Sequence, residues 1–157
     1  MRKPTHADAE LLLHLYEIRR DDELRRARAW FLTDFKPASW ADIKAVYLSH
    51  SEEDRHFRMT ISYWELVGTL VNRGVLHPDL FFDHTGEDIV TWERCKAWIA
   101  DARADIRPTY LYQFEKMVND HLAFRARVNA AHQAAGERAS AAPKRGEGKA
   151  AKRRAKR

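Results

Sequence analysis

The sequence predicts an all-α fold, an irregular bundle of five or six helices around a central apolar helix at about 52–73, with a disordered basic C-terminal tail. Three observations carry this. Apolar side chains return every three to four positions as far as Val128 and then cease, which is the helical period. No alternating segment of strand length occurs. Only 6 Gly and 5 Pro interrupt a chain that is 45% hydrophobic with 5 Trp, 5 Tyr and 7 Phe, a composition suited to packed helices rather than turn-rich β structure.

The elements follow in order. Residues 5–8 read Thr-His-Ala-Asp, a capping box in which Asp replaces Glu, and Leu11, Leu12, Leu15 and Ile18 recur behind it. Asp21 and Asp22 start a second helix with Leu24, Ala27, Phe31 and Phe35 on one face and Trp30 beside them. Lys36-Pro37 ends it, because the residue before proline disfavours the α region. Ser39 to Asp42 is another capping box, opening a short helix with Ile43, Val46 and Tyr47. Ser51 opens the central helix, where Phe57, Ile61, Trp64, Val67, Gly68 and Val71 form one arc that Tyr63, Leu66 and Leu70 widen. So broad an apolar arc needs partners on several sides. Gly68 costs about 1 kcal/mol against Ala in a helix, which points to a close neighbour there. Gly74 stands where a helix end needs φ > 0. Leu80, Phe81 and Phe82 form a helical turn plugging the bundle. Asp88 is expected to cap one helix carrying Trp92, Cys95, Ile99, Ala102 and Ile106 to Arg107-Pro108, with Trp98 adjacent. From Thr109 a last helix presents Tyr110, Phe114, Met117, His121, Phe124 and Val128, fraying beyond Ala130.

Length and charge set the domain organisation: a helical domain at 1–134 and a basic tail at 135–157. The tail has no large apolar residue to offset the entropy of ordering, so it is expected to be disordered. Net charge is +5 overall, but residues 143–157 hold Lys144, Arg145, Lys149, Lys152, Arg153, Arg154, Lys156 and Arg157 against Glu147 alone, a charge of +7. Residues 1–142 are therefore left at −2. The single cysteine, Cys95, excludes an internal disulfide or a multi-cysteine zinc site and fits a reducing compartment. No apolar run nears the roughly 20 residues of a membrane span. The charged start and short first apolar run do not make a signal peptide. The expectation is a cytoplasmic protein without a membrane partner.

Three pieces of sequence are familiar in combination. Tyr16-Glu17-Ile18-Arg19-Arg20 stands with Arg26-Ala27-Arg28 and Trp30-Phe31. Glu65-Leu66-Val67-Gly68 stands with Arg73-Gly74 and Leu80-Phe81-Phe82-Asp83. Trp92 and the Arg103 region stand with Pro108 and Tyr112-Gln113-Phe114-Glu115. Together they resemble an uncharacterised family of small bacterial helical proteins, a domain of unknown function, over about residues 10–120. The resemblance implies a helical fold and a bacterial source. It implies no activity, cofactor or catalytic residue; some members carry an N-terminal membrane anchor, which is not expected here.

The functional candidates are few. The eight tail cations suit phosphate backbones through counterion release, while the lack of aromatics removes stacking platforms for single-stranded bases. The alternative is a solubilising appendage; Lys144-Arg145 and Lys152-Arg153-Arg154 also resemble a bipartite nuclear import signal. On the central helix Arg58, Ser62, Glu65, Thr69 and Asn72 share one face. That stripe reads either as a polar groove for a ligand or partner centred on Glu65, or as the solvent side with Glu65 paired to an arginine such as Arg103. Glu53-x-x-His56 has di-iron spacing but lacks a second such motif, so no metal or other cofactor is expected. His77, Asp83 and His84 read as turn residues, His121 as a hydrogen-bonded core histidine, and Cys95 as a small core residue. No catalytic motif is present. The reading is a non-catalytic protein-interaction or regulatory module with a tail making non-specific polyanion contacts. It predicts an exposed apolar patch at Trp40, Phe81 or Trp98. The alternatives are a nucleic-acid-associated protein acting mainly through the tail, and an enzyme whose site forms only in three dimensions.

Overall fold

A computed structural model describes residues 2–141 of the chain. Among them it forms eight helices and no strand: α1 (His6–Arg20), α2 (Asp22–Thr33), α3 (Trp40–Tyr47), α4 (Glu52–Asn72), α5 (Pro78–His84), α6 (Glu87–Glu93), α7 (Ile99–Asp105) and α8 (Tyr112–Ala141). The starts are those the caps dictate. Thr5 and Asp8 close a complete capping box on α1, Ser39 and Asp42 do the same on α3, Asp21 accepts from Glu23 and Leu24 N–H at α2, and Ser51 accepts from Asp54 N–H at α4. Gly74 has φ 70° past the end of α4, as that turn requires.

Helix α4 is the hub. It packs most extensively on α2 and also touches α3 and α5, while α1 meets α2 and α5, and α3 meets α7. Phe57, Trp64, Val67 and Gly68 are buried within it. One aromatic cluster joins Phe31, Phe35, Phe57, Trp98 and Trp40 through ring contacts of 5.6–6.1 Å. A second joins Tyr63, Trp64, Phe114 and Trp92. Full burial of each such side chain contributes roughly 1.5–3 kcal/mol, so these clusters dominate the cohesion of the bundle.

Two expected elements differ. The single helix expected from Asp88 to Arg107 is two short ones, and Asp88 lies inside α6 rather than capping it. Between them Arg94, Cys95 and Trp98 N–H donate to carbonyls three residues back instead of four. The tightened stretch lets Trp98 donate from Nε1 to the Arg94 carbonyl while its ring and that of Trp92 are buried. Helix α8 also starts at Tyr112, later than Thr109, and runs through Ala141, so residues 135–141 are helical although disorder was expected from 135. The alanines there carry a helix on intrinsic propensity without a core. The first compact unit ends at Phe124, and residues from Arg125 belong to a second.

Candidate functional site

The polar stripe of α4 meets the start of α8. Gly68 makes this possible: a Cβ on it would lie 2.5 Å from the Gln113 carbonyl oxygen and 2.9 Å from Phe114 N. One turn before it, Glu65 accepts from Gln113 N–H (3.2 Å) and Phe114 N–H (2.8 Å), capping α8 with a charged group at its positive end. One turn after it, Asn72 Nδ2 donates to both the backbone and side-chain oxygens of Gln113 at 2.9 Å. Thr69 and Ser62 turn their hydroxyls back onto Glu65 and Met59 carbonyls. Arg103 does not pair with Glu65. Its guanidinium donates from Nε to the Tyr110 carbonyl and pairs with Glu115 at 2.7 Å, because α7 brings it to the side of α8 rather than to α4.

The N-terminal half of the stripe does line a cleft of about 260 Å³. Arg58, Ser62 and Glu65 form its floor with Ile61, Tyr47 forms one wall, and Arg107, Tyr110 and Leu111 of the α7–α8 connection form the other. Arg58 is held in place by Asp54 at 2.7 Å and the Tyr47 carbonyl at 2.9 Å, and lies 3.8 Å from the Tyr47 ring centre. Leu111 has φ 53°, a left-handed conformation that costs a side-chain-bearing residue roughly 1–2 kcal/mol. It is maintained by the Glu65 and Asn72 bonds to the residues that follow. Thr69 and Asn72 do not line this cleft, so the stripe divides into a cleft-lining half and a helix seat. Tyr47, Arg107, Tyr110 and Leu111 were not legible as site residues; only the break forced by Arg107-Pro108 marked the loop that holds the last three.

With that geometry in place, comparison with known proteins is informative at one level. Residues 4–121 match the family described as Domain of unknown function (DUF4760). The chain belongs to this family. No curated protein and no solved structure shows significant similarity to it. The family's span includes α1 to α7, the helix seat and the cleft, and stops three residues short of the unit boundary at Phe124.

Several other charged groups of the DUF4760 span join helices. Asp8 is 1% exposed and accepts from Arg2, from the Thr5 hydroxyl and backbone, and from His77 N–H. The Arg2 and Thr5 bonds hold its carboxyl well below the usual range. Glu87 takes both Arg19 and Arg28, tying α1, α2 and α6. Burial pushes its carboxyl up, and the Arg28 and Arg19 contacts outweigh that for a net lowering. Nearby, Tyr63 donates to the Leu15 carbonyl, and burial raises its phenol to about 12. His121 and Asp88 are both fully buried and bonded at 2.7 Å, with Phe82 stacked on the imidazole, so His121 is the hydrogen-bonded core residue expected.

His77 is buried at the start of α5 with Nε2 2.6 Å from the Arg2 carbonyl, and His84 is exposed beside Tyr16. His56 is nearly buried, 3.8 Å from Glu52, and no cluster of three or more metal-ligating side chains forms among the described residues. Cys95 is buried in the core, where desolvation pushes its thiol up. Trp40, Phe81 and Trp98 do not form an exposed patch; all three are buried, and Trp40 donates to Asp105. Their aromatic partners are what periodicity alone hides. The eight tail cations, Lys144 to Arg157, lie outside the described residues. No helix among those described is long and apolar enough to cross a membrane.

Proposed function

We propose that the chain is a non-catalytic interaction or regulatory module whose basic tail makes non-specific polyanion contacts. The observation that supports the first half is the commitment of its buried charges. Asp8, Glu87 and Asp88 each take partners that fasten a helix end or tie elements together, and Asp54 holds Arg58 within α4. Glu65, the one acid at the cleft, uses both oxygens as a helix cap. A general acid or base needs a proton-accepting position free for substrate, and this set offers little of that kind. Generic ester and phosphate-ester substrates should show no turnover that substitution of Arg58, Glu65 or Arg107 removes. Turnover abolished by any of these would overturn the non-catalytic reading.

The second half rests on the +7 charge of residues 143–157. Full-length chain and a chain ending at Ala142 are to be titrated with double-stranded DNA at several salt concentrations. The full chain should bind with a log–log salt slope of several units, about 0.9 per phosphate neutralised, and the shorter one should lose it. Equal affinity of the two would end this half. The proposal includes a bacterial, cytoplasmic setting, in keeping with the family resemblance and the lone buried thiol.

A further inference from the structure

We infer that the cleft between α3, α4 and the α7–α8 connection is a binding site for a small organic carboxylate. This deepens the binding-module reading above and rests on it for the site alone, not for the tail. Four observations meet there. The first is size: about 260 Å³ lies just below the range of drug-sized pockets, so the occupant is a small molecule. The second is the walls, where Tyr47, Ile61, Tyr110 and Leu111 present rings and aliphatic carbon that call for an organic body rather than a bare ion.

The third is charge. Arg58 and Arg107 line the cleft with Glu65; Arg58 is already paired with Asp54 and Glu65 with two backbone N–H groups, so Arg107 is the cation left for a monoanion. Arg107 is exposed and, among the described residues, engages no carboxylate or carbonyl, leaving its planar fork open for bidentate contact. Arg58 is already oriented by Asp54 and Tyr47, so little rotamer freedom remains to be lost when it contributes. The fourth is an orphan. Tyr110 is 8% exposed, and its hydroxyl has no hydrogen-bond partner. A buried unpaired hydroxyl is costly and is resolved by an acceptor in the space beside it. Burial pushes the Tyr110 phenol up, so it remains a donor, with Arg58 and Arg107 among the charges that act on it. A carboxylate on the Arg107 fork becomes an acceptor for the Tyr110 hydroxyl once that ring turns toward the cleft, since its oxygen is otherwise closed to solvent.

The experiment titrates the full chain with benzoate, 3-phenylpropionate and hexanoate, with benzamide as the neutral isostere and inorganic phosphate as the bare anion. Two-dimensional amide NMR provides the readout. At least one carboxylate should bind with a dissociation constant of about a millimolar, shifting amides of the cleft. Arg107→Gln should weaken it about tenfold, the effect of one charge-assisted pair, and Tyr110→Phe about threefold, with wild-type spectra elsewhere confirming that both variants fold. Failure of all three carboxylates to shift the cleft amides overturns the proposal. So does equal binding of benzamide, or binding that Arg107→Gln leaves unchanged. Tighter binding of phosphate overturns the organic class. Because DNA titration reads the tail and this titration reads the cleft, the two readings fail separately.

Discussion

Replacing Gly68 by alanine sets two known effects against each other. On an isolated helix the change stabilises by about 1 kcal/mol. Here the new methyl would lie 2.5 Å from the Gln113 carbonyl oxygen, 2.6 Å from its carbon and 2.9 Å from Phe114 N, all backbone atoms that no rotamer change can clear. Overpacking of this kind costs about 1–3 kcal/mol. Pushing the first turn of α8 outward also stretches its two bonds to Glu65, and bonds to a charged group contribute roughly 1.5–3 kcal/mol each when intact. Losing even half of that pair brings the net effect of Gly68→Ala to roughly 1.5–5 kcal/mol of destabilisation. With a urea m-value of about 2 kcal/mol/M, the unfolding midpoint falls by roughly 1–2 M. Gly136→Ala is the control: that glycine is helical and a Cβ there meets nothing within 4 Å, so the midpoint should not fall. The reasoning is refuted if Gly68→Ala unfolds at the wild-type urea concentration or above it. A further check is coupling. Glu65→Gln should cost less in the Gly68→Ala background than in wild type, because the cap is already strained.

Three other outcomes are expected. The folded Asp8 carboxyl titrates below its unfolded value near 3.9, so its stabilisation is fully present above that pH and is lost as pH falls through and beneath it; the gap in urea midpoint between wild type and Asp8→Asn should be wide at pH 7 and close towards pH 2. Asp88→Ala removes the carboxylate bonded to the buried His121 imidazole and should cost about 3 kcal/mol in chemical denaturation, whereas Asp88→Leu with His121→Phe should cost less than that single change; the reverse order would refute the pairing. Cys95 should react with a thiol reagent only as fast as the chain unfolds, since burial raises its thiol; stoichiometric labelling of native protein within minutes would contradict its place in the core.

Much of the architecture was legible because helix starts and apolar faces are local. Thr5, Ser39, Ser51 and Gly74 announce their roles within four residues of themselves. The break at residues 94–98 was not, because it is driven by two indoles that must both be buried, and this depends on helices distant in sequence. Glu65 showed the same limit. Its helical phase placed it correctly on the stripe, but its partners are backbone N–H groups 48 and 49 residues away, which no side-chain pattern records. Arg107, Tyr110 and Leu111 reach the cleft through a turn whose shape depends on that same cap. Gly68 was the useful exception: a glycine placed where a helix is otherwise weakened signals a neighbour, and the neighbour is there.

The carboxylate shared by Arg19 and Arg28 carries a lesson about tolerance. Remove either arginine and a balanced one-to-one couple remains; remove Glu87 and two like charges, one on α1 and one on α2, lose the carboxylate they share. The three positions are thus unequal under mutation. Drift can pass through 19 or 28 one step at a time, while 87 is a point of no return. Among DUF4760 members this asymmetry should show as an acid that stays fixed while the bases around it trade places.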